Sequence, residues 1–343
     1  MKIDIITTPN EYLKETGFGT LKACQSVLDS IIKLGYDVKL NVCSSLNDLN
    51  RIVLRKPDLV ILAVKYISVN NGIDIWLSEY FAEHEINYSG SSREVLRFDS
   101  DKVLAKSHLR KKGVKTADYF TAIPGQYKCE ADLPVSFPLF LKPLDAANGN
   151  GIDDLSLVTN FAEFESKTLS LYEAFDLPVL AEEYLDGREF SVAVIKTENS
   201  KVIVSAVEIV PPQSGNGLRI LGEKAKREDS EEIKKITDMK MLNEVTRLAL
   251  DAFAKLGIWD FGRIDIKTNK RGQCYFMEAN LVPGMTSGTS YFPQACEIAN
   301  ELSYDNVIQL IVEKGISRAA FATSLGISPV INGNFGDTHI AAI

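Results

Sequence analysis

The chain opens on an apolar run, KIDII (residues 2–6), and then adopts helical spacing from about Thr20, with Leu21, Cys24, Val27, Leu28, Ile31 and Ile32 on one side until Gly35 stops it. PDLVILAV (57–64) follows as a buried strand. This alternation predicts a small doubly wound α/β domain over the first hundred residues. Beyond SGSSREVLRFDSDK the pattern changes to short apolar runs: PLFLK (138–142), VLAEEY (179–184), EFSVAVIK (189–196) and KVIVSAVEI (201–209). Their gaps fit antiparallel pairing, so an α+β region is expected here. A helix near 240–256 buries Met241, Leu242, Val245, Leu248, Ala249, Ala252, Phe253 and Leu256 and ends at Gly257, after which DFGRIDIK and CYFMEAN resume the sheet. Residues 321–343 lack periodicity and are expected to form a loosely packed extension.

Composition narrows the classes. With 343 residues, 45% of them apolar, the chain can bury a large core, and its length favours two or three domains. A net charge of −8 argues against a general nucleic-acid or membrane-surface binder and leaves small molecules as the expected partners. The start lacks the features of a secretory signal and no window approaches 18 apolar residues, so a cytoplasmic protein without a membrane span is expected. The five cysteines show no CxxC or Cys/His spacing, and three histidines offer little for a zinc cluster or a catalytic triad. Chemistry must rest on carboxylates, lysines and arginines.

FMEANLVPGMTSG (276–288) supplies the first candidates. Glu278 and Asn280, two apart on a strand, share a face, as do Arg263 and Asp265 in GRIDIK; pairing the two strands can gather all four. Carboxylate and amide oxygens in such a set suit Mg²⁺, and the arginine suits a transferring phosphoryl group. A solvated hairpin with a surface salt bridge is the bland alternative. Lys142, before the glycine-containing loop LDAANGNG, suits a nucleotide phosphate, although a turn with a surface lysine explains it as well. AEEYLDGREFSV (181–192) reads either as a hinge strand holding a base and ribose or as an ordinary charged hairpin.

The order DSDK, FLKP with its glycine loop, AEEYLDGREF, GEKAK, GRIDI and MEANLVPGMTSG resembles the ATP-grasp superfamily and, within it, the D-alanine:D-alanine ligases, over roughly residues 1 to 315. The resemblance implies a Rossmann-like domain (1–98), an ATP-grasp small lobe (99–186) and a large lobe (187–320) closing on ATP. It implies that Lys102, Lys142 and one of Lys224 or Lys226, with Lys224 preferred, contact ATP phosphates. Glu182, Glu183, Tyr184, Leu185 and Glu189 would frame adenine and ribose. Asp265, Glu278 and Asn280 would hold Mg²⁺, with Mn²⁺ as a substitute, and Arg263 and the Gly284 loop would face the phosphoryl group and the acyl intermediate. Glu15, or else Glu11, would anchor the ammonium of the first substrate.

The expected activity is an ATP-dependent carboxylate–amine ligase, dipeptide-forming, acting through an acyl phosphate and releasing ADP and phosphate. Its partners would be amino-acid or other carboxylate and amine substrates, and a homodimer is compatible with the reading. The chain departs from the family's pattern at the first turn (TTPNEYLKETGFG), at Asn148 and Asn150 in the flap, at Ala225 after Lys224, and at Gly288, where a histidine is usual. In the family these positions handle the amino acids, so a pair other than two D-alanines, such as one with a larger or non-standard amino acid, is expected, with ordinary D-alanine ligation as the alternative. The rival reading is a non-catalytic ATP-binding module. A Rossmann dehydrogenase is disfavoured because no GxGxxG follows the first strand.

Overall fold

A computed structural model describes residues 1–9, 17–69, 73–145, 149–199, 201–213, 217 and 219–324. Strand β1 (Lys2–Thr7), helix α1 (Leu21–Lys33), β2 (Asp37–Val42), α2 (Leu46–Arg55) and β3 (Leu59–Leu62) build a parallel sheet of order β2-β1-β3. Alternation along these strands feeds two cores. Ile3, Ile5, Leu59 and Ile61 pack with Cys24, Val27 and Ile31 of α1, whereas Ile6, Val60 and Leu62 pack with Leu49 and Ile52 of α2. The sheet is thus covered on both faces, as the apolar runs predict.

The buried stripe of α1 is narrower than its spacing suggests: Leu21 and Ile32 are 47% and 54% exposed, while Ala23 and Ser30 are buried. Leu21 and Ile32 lie roughly 100° or more around the helix from the Val27 side that meets the sheet. Thr20 caps the helix, accepting from Ala23 N. A small antiparallel pair, β4 (Tyr66–Val69) and β5 (Ile73–Trp76), and helix α3 (Leu77–Glu83) complete this part.

Helices α4 (Arg93–Ser100) and α5 (Lys102–Lys111) lead into a sheet of order β6-β9-β7-β8, made of β6 (Tyr119–Ala122), β7 (Leu139–Pro143), β8 (Leu157–Val158) and, after helix α6 (Phe161–Phe175), β9 (Val179–Glu183). Phe164 and Leu171 of α6 pack on Phe120, Leu139 and Leu141. Next come β10 (Glu189–Lys196), β11 (Val202–Val210), α7 (Glu223–Glu228), β12 (Glu232–Lys235), α8 (Met239–Leu256), β13 (Phe261–Thr268), β14 (Cys274–Asn280), α9 (Tyr291–Asn300) and α10 (Tyr304–Ser324). Their strands form an antiparallel sheet of order β12-β11-β10-β13-β14. α8 ends where expected, at Gly257 with φ 73°.

β9 and β10 belong to different sheets, so residues 184–188 cross from one to the other and do not turn a hairpin. This removes the charged-hairpin reading of AEEYLDGREFSV. α10 continues to Ser324, four residues into the segment expected to lack regular structure; residues 325–343 lie outside the described ones. No helix among the described residues is long and apolar enough to cross a membrane.

Candidate active site

The β13–β14 register sets Arg263 opposite Asn280 and Asp265 opposite Glu278, with a bulge just after Asp265. Arg263 donates to both Asp265 oxygens, Nε at 3.0 Å and a terminal nitrogen at 2.9 Å. Asp265 also accepts from Asn280 Nδ2 at 3.0 Å and from Ser191 Oγ of β10 at 2.7 Å. With side-chain exposures of 12% and 16%, Arg263 and Asp265 are not a solvated surface pair. Burial disfavours the charged guanidinium, but Asp265 and Glu278 outweigh it and hold its pKa above the ordinary value. Burial likewise opposes ionisation of Glu278, yet Lys102, Lys142, Lys226 and Arg263 hold its carboxyl down at about 2.

Facing this hairpin, Glu182 at the end of β9 lies between two lysines: Lys142 of β7 at 2.7 Å from one carboxylate oxygen and Lys106 of α5 at 2.7 Å from the other. All three are nearly closed to solvent. Burial would raise the pKa of Glu182, but the two ammonium groups bring it to about 2. The lysines diverge: burial pushes Lys106 down, whereas around Lys142 it is outweighed by Glu182, Glu278 and Glu189, so that pKa rises. Lys106 is absent from the sequence reading. Its signal is there, since it sits one turn after Lys102 beside the buried Ala105 and Leu109.

Lys142, Glu182, Glu183, Tyr184, Leu185 and Glu189 line one pocket together with Lys102, Asp265 and Glu278. Phe140, Ile152, Ile209 and Met277 add apolar wall, and Tyr184 stacks on Phe140 at 6.3 Å between centroids. Glu189 pairs with Lys267 at 3.1 Å. An apolar slot with polar groups along one end suits a flat base joined to an anionic tail.

A second cavity of about 530 Å³ adjoins the first, sharing Lys102, Asn150, Lys226, Glu278 and Tyr291 with it. Arg263, Asn280 and Gly284 face it. Its far wall is the glycine turn after β1, where a Cβ on Gly17 would come within 1.9 Å of Ala63 O. Phe18 N donates to Ala63 O at 2.8 Å, and Phe18 O accepts from Met285 N at 2.9 Å, stitching that turn to the loop after β14. Glu11, Glu15 and Asn148 lie outside the described residues. Gly288 has φ 80° and open space around it.

The two candidate third lysines are placed differently. Lys224 is exposed and lines neither cavity, whereas Lys226 lines both. Residues two apart on α7 point roughly 200° apart, so only one of them can face the cleft. The side chain following the inward lysine is therefore Arg227, which lines the larger cavity, and not the buried Ala225. Among the described residues no three His, Cys, Asp or Glu side chains gather as a metal cluster. Two carboxylates and one amide, Asp265, Glu278 and Asn280, remain the set that fits a hard divalent cation that keeps part of its water.

The chain is similar to known proteins. Residues 109–313 match the family described as D-ala D-ala ligase C-terminus. The D-alanine--D-alanine ligase of Aquifex aeolicus is 26% identical over 298 residues, covering 85% of this chain and 94% of that one. That of Acetivibrio thermocellus is 30% identical over 261 residues, covering 72% and 66%. Among solved structures, the Bacillus anthracis D-alanine--D-alanine ligase complexed with ATP superposes with a TM-score of 0.70 at 20% identity, covering 92% of this chain and 97% of that one. The Coxiella burnetii ligase gives 0.68 at 16% identity, covering 95% and 96%. The fold is the one the sequence resemblance implied.

Proposed function

We propose, for a chain that belongs to the D-alanine–D-alanine ligase family and so is an ATP-dependent enzyme forming an amide bond, a division of labour across the two adjoining cavities. Adenosine lies in the apolar slot, framed by Glu182, Glu183, Tyr184, Leu185 and Glu189. Its phosphates run toward Lys142, Lys102 and Lys226. The larger cavity takes two small molecules, one presenting a carboxylate and the other an amine.

Attack of the carboxylate on the γ-phosphorus gives an acyl phosphate and ADP. The amine then adds to the acyl carbon, loses a proton, and phosphate leaves. Arg263 faces the larger cavity beside Asp265 of the slot and neutralises charge on the phosphoryl group in flight, with the Gly284 loop lining the same cavity. Asp265, Glu278 and Asn280 would hold Mg²⁺, which when bound screens the phosphate charge. Glu15 or Glu11 would receive the first substrate's ammonium.

The observation that carries this reading is the pairing of Asp265 with Glu278 and of Arg263 with Asn280, Asp265 lining the slot, Arg263 and Asn280 the larger cavity, and Glu278 both. The relatives named above are all ligases, which leaves the non-catalytic reading without support. We divide the chain into residues 1–98, 99–186 and 187–320, with the joint of the two lobes at 184–188. D-alanine, from which the relatives take their name, is the first substrate to test. The wall of the larger cavity carries Arg227 beside Glu223, Asp229 and Glu231, so charge alone does not select the acceptor, and larger or non-standard amino acids are tested beside D-alanine. A panel of D- and L-amino acids, with phosphate release followed and products weighed by mass spectrometry, decides the pair. Formation of AMP and pyrophosphate in place of ADP and phosphate would overturn the mechanism.

A further inference from the structure

Lys142 and Glu182 present a difficulty for any anion entering the pocket. Lys142 is the pocket's buried cation, yet its ammonium already lies 2.7 Å from Glu182, a carboxylate only 1% exposed. A phosphate that draws Lys142 toward itself withdraws the counter-charge from a carboxylate that water cannot reach, and an uncompensated buried charge is costly. Lys106 resolves this. It contacts the other oxygen of Glu182, also at 2.7 Å, and is fully buried. It lines neither cavity, so no ligand in the pocket competes for it. Its ammonium also donates to Phe276 O on β14 at 3.3 Å, which fixes it from the opposite side.

We infer that Lys106 is a positioning residue, a resident counter-ion that keeps Glu182 compensated and thereby releases Lys142 to bind a nucleotide phosphate. The inference rests on the proposed nucleotide site. Lys106 and Lys102 are placed for a division of roles because they stand one turn apart on α5: Lys102 reaches the pocket and Glu278, at 3.8 Å, while Lys106 stays behind Glu182. Neutral Glu182 would have no need of Lys106, so the two residues must be energetically coupled.

The test is a double-mutant cycle read by calorimetric titration with Mg·ADP, without turnover. Lys106→Met in the otherwise native chain should weaken binding at least ~10-fold, because Lys142 is then the only partner left to Glu182. The same substitution in a Glu182→Gln background should change affinity by less than about 3-fold, since no buried anion is left to compensate. Lys106→Gln, closer in polarity and size, is measured beside Lys106→Met, and circular dichroism selects whichever keeps its fold. An equal loss in both backgrounds, or no loss in either, overturns the inference while leaving the nucleotide site intact. Failure of the native chain to bind Mg·ADP overturns the site and the inference together.

Discussion

The carboxylate of Asp99 accepts a hydrogen bond from the backbone N–H of Leu281 at 2.5 Å, joining the end of α4 to the loop that follows β14. The same oxygen accepts from Val282 N at 3.2 Å, and the other oxygen pairs with Lys65 at 2.7 Å. One side chain therefore holds the start of the loop bearing Gly284 against the parallel sheet.

Asp99→Ala leaves two partly buried N–H groups and a buried ammonium without this acceptor. It should cost ~1–3 kcal/mol of stability, the usual penalty for stranded buried donors. Thermal unfolding measures it. Turnover should fall more than affinity for Mg·ADP, because the displaced loop lines the larger cavity and not the slot; the reverse pattern counts against the assignment.

Glu278 and Asp265 should differ in kind when removed. Either change to Ala lowers kcat by ~10²-fold or more, as for loss of one preorganised electrostatic group. Asp265→Ala also strands Arg263, whose two hydrogen bonds to Asp265 leave it no equal partner, and should lower the melting temperature clearly. Glu278→Gln should lower it less: it removes a carboxylate that Lys102, Lys142, Lys226 and Arg263 stabilise, but its nearest ion pair is the looser 3.8 Å contact with Lys102. Full activity of either variant at saturating magnesium would misplace the metal.

The two lysines of α7 should separate cleanly. Lys226→Met should weaken Mg·ADP binding by ~10-fold or more through loss of a charge partner. Lys224→Met, altering an exposed side chain, should bind as the native chain does. Matched losses would mean that α7 turns its other face to the cleft when nucleotide binds.

Acid should reveal the Glu182 pair of contacts. Its pKa is lowered in the folded chain from 4.5 to about 2, so its contribution to stability is fully present above the unfolded value and is lost as pH falls from about 4.5 toward 2. The gap in melting temperature between the native chain and Glu182→Gln should therefore shrink over that range. A gap independent of pH would show that Glu182 does not titrate as an ion pair.

The hairpin with Arg263, Asp265, Glu278 and Asn280 was legible in the sequence because a strand repeats every two residues and a short turn leaves few registers. The choice between Lys224 and Lys226 was not. α7 is too short to show a periodic apolar face, and both lysines follow the same glycine. Asp99 and Lys65 were invisible for another reason: their partners lie 182 and 34 residues away, and no local pattern encodes a contact of that span. Its spacing from Lys102 aside, nothing local marks Lys106 as buried, since its pairing with Glu182 and its hydrogen bond to Phe276 O, which make that burial tolerable, are contacts across the fold.

The passage of the chain between sheets at 184–188 places Tyr184 and Leu185 at a joint and, at the same time, in the wall of the apolar slot. A molecule filling that slot wedges the joint from inside. Occupancy should then be felt as stiffness well beyond the contact surface, with slower amide exchange in β6 and β8, strands that contribute no residue to the slot but ride on the same side of the joint.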